Sequence, residues 1–239
     1  MALSQAHSCD RKAQGHQAAP EACGGTAPHQ IPREAHLGIP IWRTGSRAAK
    51  CSVWHSIRTP GHSAIYRKGI RPHTPEEAAG EAAKYKNDRA LLRARAQAAL
   101  AVLAKHELTD PKRIAAIGYC FGGTTVLELA RSGAEIGGVV SFHGGLSTPD
   151  PTEPKKIRAK VLVLHGADDP NVPPQEVAAF EEEMRQAGVD WQLIAYGGAV
   201  HAFTDWSAGS DNSKGAAYNE WADRRSWEAM KQFFAEVFK

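Results

Sequence analysis

Four short apolar runs, each giving way to a polar or helix-like stretch, constrain this 239-residue chain more than any other feature of it. They are RIAAIGY (113–119), IGGVVSFH (136–143), KVLVLHG (160–166) and WQLIAYG (191–197). Runs this short, rich in Val, Ile and Leu and apolar without alternation, suit strands buried on both faces of a parallel sheet. Helical patterns lie between or after them: 121–132 stopped by Gly133, about 174–187 stopped by Gly188, and 217–238 at the C-terminus. Two more precede the first run. HTPEEAAGEAAKY opens with Thr74 as N-cap, Pro75 at N1 and Glu77 at N3, a capping box with favourable first-turn charge. The other runs from about Asp88 to His106, with Leu91, Leu92, Ala98, Ala99, Val102 and Leu103 as the expected core face. The alternation predicts an α/β fold with a doubly wound, mostly parallel sheet over residues 66–239.

Residues 1–65 behave differently. They contain neither Phe nor Tyr, yet hold three of the four cysteines and six of the eleven histidines. No run there keeps the period of a helix or strand long enough to predict an element. The segment is expected to be disordered or a translation in the wrong reading frame, and 66–239 to be the folded domain. The net charge of +3 comes from the first part: 7 Lys/Arg face 3 Asp/Glu in 1–65, against 22 and 23 in 66–239. So small an excess argues against nucleic acid or an anionic membrane as partner. No apolar run approaches the roughly 20 residues of a membrane span, and MALSQAHSCDRK lacks a secretory h-region. The expectation is a cytoplasmic protein with reduced thiols; Cys9, Cys23, Cys51 and Cys120 have no metal-ligand spacing, so neither metal nor organic cofactor is expected.

At the end of the first run the chain reads IGYCFGGTTVLEL, with Cys120 between Gly118 and Gly122. In an open α/β sheet reactive groups gather at the carboxyl ends of strands, and G-x-C-x-G is the cysteine form of a nucleophile elbow. The turn is expected to be so sharp that a side chain at either glycine would clash. A thiol at a helix N-terminus has its pKa lowered, and the Phe121 N–H is placed to hold half of an oxyanion. Partners occur in hydrolase order: HGADDPNVP after the third strand and YGGAVHAF after the fourth. His201 is the best candidate base, with Asp168 and Asp169 both candidates for the acid. His143 and His165 end strands ahead of the acid and are assigned to backbone groups.

Those pieces, together with KGIRPHTPEEA and AYNEWADRRSWEAM, resemble the dienelactone hydrolase family of α/β-hydrolases over about residues 66–239. The resemblance implies a Cys-Asp-His triad hydrolysing small esters or lactones, with Cys120 as nucleophile and His201 as base. The family's Asp-x-x-Val-Pro pattern falls on Asp169 to Pro173 and so favours Asp169. HGG at 143–145 follows the nucleophile, so it is not the oxyanion loop of lipases. The family's first strands, second oxyanion donor and a glutamate should lie in 1–65, where none is recognisable. The strand at 113–119 would then keep an open edge, and the alternative expectation is a catalytically impaired or inactive hydrolase remnant, which as a non-enzyme would bind a partner through that edge. No arginine lies close after His201 to grip a carboxylate, and Asp205 would repel one, which disfavours dienelactone itself. A glutamine amidotransferase would need an acid two residues after its histidine, where this chain has Phe203, and a redox role would need a resolving cysteine. Phe121, Phe203, Trp206 and Trp221 are candidate pocket walls or core. Glu181 to Glu183 and Asp223 to Arg225 are read as solvated helix faces, with Arg224 or Arg225 as possible anchors of the last helix.

Overall fold

In the computed structural model the described residues are 40–43, 53–56, 73–149 and 156–239. Six strands form one sheet: β1 (Pro40–Arg43), β2 (Val53–Ser56), β3 (Ala115–Tyr119), β4 (Gly138–Phe142), β5 (Lys160–Gly166) and β6 (Trp191–Tyr196), in the order β2-β1-β3-β4-β5-β6. β3 to β6 are parallel; β1 runs antiparallel to β3 and to β2. The four predicted strands are therefore present within two residues of their expected ends. The two short strands correct the reading of 1–65 as lacking any. Each is four residues long, too short for a sequence period to emerge. β1 sits on the outer edge of β3, Ile41 opposite Ala116, where an uncovered edge was expected. The remainder of 1–65 lies outside the described residues.

Among the described residues there are five α-helices: α1 (Pro75–Lys86), α2 (Arg89–Ala104), α3 (Phe121–Arg131), α4 (Pro174–Ala187) and α5 (Glu220–Val237). Their ends follow local chemistry. Thr74 Oγ1 accepts the Glu77 N–H and Glu77 reaches back to the His73 N–H; Asp88 and Asn219 cap α2 and α5 through the Leu91 and Ala222 N–H groups. Gly188 closes α4 at φ +64°, a left-handed conformation that glycine adopts without penalty.

Period two in the strands sorts the core. Ala116, Val139, Val161 and Val163 pack against Leu92, Ala96, Val126, Leu129, Phe180 and Met184 of α2 to α4. Gly138, on the opposite face, meets the Phe233 ring, so α5 covers that side. The core face of α2 differs from expectation. Leu92 and Ala96 are buried, with Leu100 and Leu103 packed against the core, while Leu91 and Val102 are exposed. Positions 92, 96, 100 and 103 form one 3.6-period stripe and 91 and 102 flank it.

Behind α3 lies a buried charge cluster that was not expected. Arg131, 2% exposed, donates to both carboxylate oxygens of Glu183 (2.8 and 2.6 Å), to Glu128 (2.9 Å) and to the Leu146 carbonyl (2.7 Å). Arg93 of α2 donates to Glu128 at 2.8 Å. The run of three glutamates is thus not uniformly a solvated face. Glu181 and Glu182 pair with Arg185 on the surface, whereas Glu183 turns inward beside Met184. Arg224 pairs with Glu220 in its own helix and the Arg225 guanidinium lies over the Trp221 ring, while its charge also acts on Tyr196 of β6.

Removing one partner of a buried pair strands the other charge. Glu183→Ala is expected to lower the unfolding free energy by about 3–5 kcal/mol in urea titration, whereas Glu182→Ala should stay within about 0.5 kcal/mol of wild type.

Candidate active site

The carboxyl end of β3 turns directly into α3 at Cys120, whose φ is +50° and ψ −119°. A residue with a side chain rarely adopts that conformation, and such outliers persist only where the surroundings over-determine them. Gly118 and Gly123 show what does so. A Cβ on Gly118 would stand 2.0 Å from the Gly122 carbonyl oxygen, and one on Gly123 would stand 2.6 Å from Ser141 Oγ. Gly122 differs from expectation: a Cβ there meets nothing within 4 Å. It is the Gly122 backbone, not its missing side chain, that the corner needs close to β3.

β3 and β4 are parallel with Tyr119 opposite Phe142, so the residues that follow, Cys120 and His143, emerge side by side. His143 is 1% exposed and also has positive φ, +39°. Its Nδ1 lies 3.3 Å from the Cys120 sulfur and 3.3 Å from the Cys120 amide, which also donates to the Phe142 carbonyl at 3.1 Å. Its Nε2 is 2.8 Å from Thr204 Oγ1, and its ring stands edge-on to Phe203 at 5.0 Å. The expectation that His143 serves a backbone group describes one of these contacts and misses the sulfur. Its position at the tip of the strand next to the one that ends at Cys120 was the signal available for it.

The loops after β5 and β6 carry the remaining groups and are tied together. Asp168 N–H donates to the Ala199 carbonyl (3.0 Å), and the Asp168 carboxylate accepts the Gly198 N–H (3.1 Å). Asp168 therefore fastens the two loops, while Asp169 faces His201, whose Nδ1 lies 2.8 Å from Oδ2. The Asn171 N–H binds the other Asp169 oxygen at 2.8 Å. His201 is held from behind by a short bridge to Ala216, and Ala202 after it has φ +56°. The Cys120 sulfur and one ring nitrogen from each of His143 and His201 all lie within 4.8 Å of one another. Phe121 opens α3 immediately after Cys120, at a helix terminus whose first amides have no intrahelical partners. His165 is buried in β5; burial pushes its imidazolium form down, against the nearby Asp169 carboxylate.

The electrostatics of this group run against simple burial. Burial alone would raise the Cys120 thiol, but attraction to and hydrogen bonding with His143, then with His201, outweigh it and bring its pKa down to about 5. Burial would lower His201, but its hydrogen bonds to Asp169 and Cys120 raise it to about 10. Asp169 is lowered from its ordinary value because the hydrogen bond to His201 outweighs its own desolvation. The arrangement at neutral pH is a thiolate beside an imidazolium, backed by a carboxylate. Of the aromatic candidates, Phe203 is fully buried core, whereas Trp206 and Trp221 are 47% and 67% exposed.

The corner geometry separates the two elbow glycines experimentally. Gly118→Ala should lose the native fold or melt far below wild type, while Gly122→Ala should melt at or slightly above wild type, an alanine in a helix being worth up to about 1 kcal/mol over glycine. Thermal denaturation of both variants reads the difference.

Comparison with known proteins bears on the whole described α/β region. A solved structure titled m3DLH is 44% identical, with a TM-score of 0.69 over 73% of each chain. A dienelactone hydrolase-like promiscuous phosphotriesterase, P91, from metagenomic libraries is 47% identical, with a TM-score of 0.63 over 68% of this chain and 69% of that one. A candidate carboxymethylenebutenolidase of Saccharolobus solfataricus is 31% identical over 132 residues, 54% of this chain, and the match spans only 46% of that relative's length. The family profile described as the dienelactone hydrolase family matches residues 62–238. On that match the chain belongs to the dienelactone hydrolase family, within the α/β-hydrolase superfamily, and is a hydrolase by family.

Proposed function

We propose that the protein hydrolyses small carboxylic esters or lactones through a cysteine nucleophile. The observation that carries this reading is the Cys120 sulfur held within reach of His201, which Asp169 backs at 2.8 Å. The Cys120 thiolate attacks the carbonyl carbon, and the carbonyl π electrons move onto oxygen. That oxyanion faces the Phe121 N–H at the positive end of α3. Collapse expels the alcohol oxygen, which takes the proton from His201, and leaves a thioester. His201 then accepts a proton from water as the water attacks, and expulsion of the thiolate restores the starting state. Asp169 holds the imidazole in the tautomer that presents Nε2 to these protons.

Several features bear on substrate class. Cys120 and His201 are partly exposed, which leaves the sulfur open to a small acyl group. Asp205, four residues after His201, disfavours a substrate carboxylate nearby; its own carboxylate accepts the Ser207 N–H at 2.8 Å. The relative titled as a promiscuous phosphotriesterase makes phosphotriesters a second class to assay. A small soluble substrate, with neither nucleic acid nor membrane as partner, completes the reading. Among the described residues no helix is long and apolar enough to cross a membrane.

Hydrolysis of p-nitrophenyl acetate tests the assignment. Cys120→Ala should fall to the buffer rate, and His201→Ala should lose about 10²–10⁴ in kcat. Equal turnover by wild type and Cys120→Ala would remove the thiol from the mechanism. The dependence on pH follows from the signs above. The thiolate is protonated as pH falls through about 5, and the imidazolium is lost as pH rises through about 10. kcat/KM should therefore be flat across neutral pH and decline on both sides. Alkylation of Cys120 by iodoacetamide, followed on its tryptic peptide, should stay fast down to about pH 6. In His201→Ala its midpoint should move up toward that of an ordinary thiol, about 8.5.

A further inference from the structure

The nucleophile has two imidazoles beside it, and the reaction proposed above uses only one. Sγ of Cys120, Nδ1 of His143 and the ring nitrogen of His201 converge within 4.8 Å, with Sγ and Nδ1 3.3 Å apart. Around tetrahedral zinc, with Zn–S about 2.3 Å and Zn–N about 2.0–2.1 Å, donor atoms stand about 3.3–3.6 Å from one another; the Sγ–Nδ1 pair is already near that spacing, and a small turn of the His201 ring would bring the third donor in. We infer that Cys120, His143 and His201 form a three-ligand site for zinc, and that the bound ion withdraws the sulfur from attack.

Three observations besides the spacing carry this. A histidine ligand nearly always donates its other ring N–H to a carboxylate, backbone carbonyl or water, which sets the ring's direction. His201 Nδ1 has such a partner in Asp169 at 2.8 Å, and the His143 ring is fixed in the same way through Nε2, 2.8 Å from the Thr204 hydroxyl oxygen. A thiolate with two imidazoles is also the donor set that selects zinc over magnesium or calcium. Finally, metal binding orphans no backbone group. The Cys120 amide that now faces His143 Nδ1 keeps its bond to the Phe142 carbonyl at 3.1 Å. Cys120 and His201 are partly exposed, which leaves an approach for the ion and a fourth position for water. On binding, the Cys120 thiolate and one nitrogen of each imidazole donate lone pairs to the metal and the His201 imidazolium proton passes to solvent, so no oxidant or reductant is required. Occupancy at the sulfur excludes attack on a carbonyl, and chelation restores it.

Cobalt titration of the full chain carrying Cys9→Ser, Cys23→Ser and Cys51→Ser, in which Cys120 is the remaining thiol, tests the site without reference to turnover. The expected result is a near-ultraviolet thiolate-to-cobalt charge-transfer band with the strong visible bands of tetrahedral cobalt, both displaced by zinc. The charge-transfer band should vanish in Cys120→Ser. His143→Asn should weaken zinc binding by more than about 100-fold, and Thr204→Val by about 10–100-fold, as for lost supporting partners of metal-bound histidines. Absence of the charge-transfer band in the parent, its persistence in Cys120→Ser, or full zinc affinity in both His143→Asn and Thr204→Val would overturn the site. Thr204→Val keeps the test open if His143→Asn does not fold. Where ester turnover is present, zinc should abolish it at the concentration that fills the site and EDTA should return it. Stimulation by zinc would overturn the inhibitory half, while absence of ester turnover counts against the hydrolase reading and leaves the cobalt result standing.

Discussion

The close approach of α3 to the end of β3 is the constraint on which the site depends. Gly118 lets the Gly122 carbonyl come nearer than any side chain would allow, and the chain turns from strand to helix through the single residue Cys120. Its positive φ is the cost of that turn, opposed by a buried strand on one side and a fully packed helix on the other. The result is a sulfur presented at the sheet's carboxyl edge, beside the tip of β4 and under the loops from β5 and β6. Each of the other groups reaches it from one of those three places.

Burial and charge have to be reconciled twice in this molecule, by the same means. Behind α3, Arg131 is almost fully buried and is satisfied by two glutamates and a carbonyl. In front of it, the Cys120 thiolate is favoured despite burial because two imidazoles surround it. In both cases an isolated charge would be expensive to desolvate and a hydrogen-bonded group of opposite charges is tolerated. The first arrangement joins α2, α3 and α4 to one another. The second is the one that chemistry could use, since its Cys120 and His201 are partly open to solvent.

The double flanking of the sulfur would join the proposed catalysis to the proposed inhibition. Imidazoles placed to favour a thiolate are, by their lone pairs and fixed orientation, suited to share that thiolate with a soft cation. Thr204 and Asp169 set the two rings, and a support that aligns a base for proton transfer aligns a ligand equally well.

Much of this was legible in the amino-acid order. The parallel strands, the helix cap at Thr74, the elbow around Cys120 and the succession of an aspartate and a histidine after later strands are local patterns, and local sterics and hydrogen bonding dictate them. The same patterns could not reveal β1 and β2, because four-residue strands carry no usable period and owe their place to the edge of β3. Nor could they separate Glu183 from Glu181 and Glu182, since which helix face is inward depends on what packs against it. The roles of His143, of Asp168 as a tie between loops and of Gly123 as the tight glycine were likewise decided by contacts between segments far apart in the chain. Sequence by itself determined β3 to β6, the five helices, the chain order of the candidate groups and the family; the tertiary structure alone decided which side chains meet the sulfur. Register across a sheet and the convergence of its loops are non-local, and no stretch of residues read alone contains them.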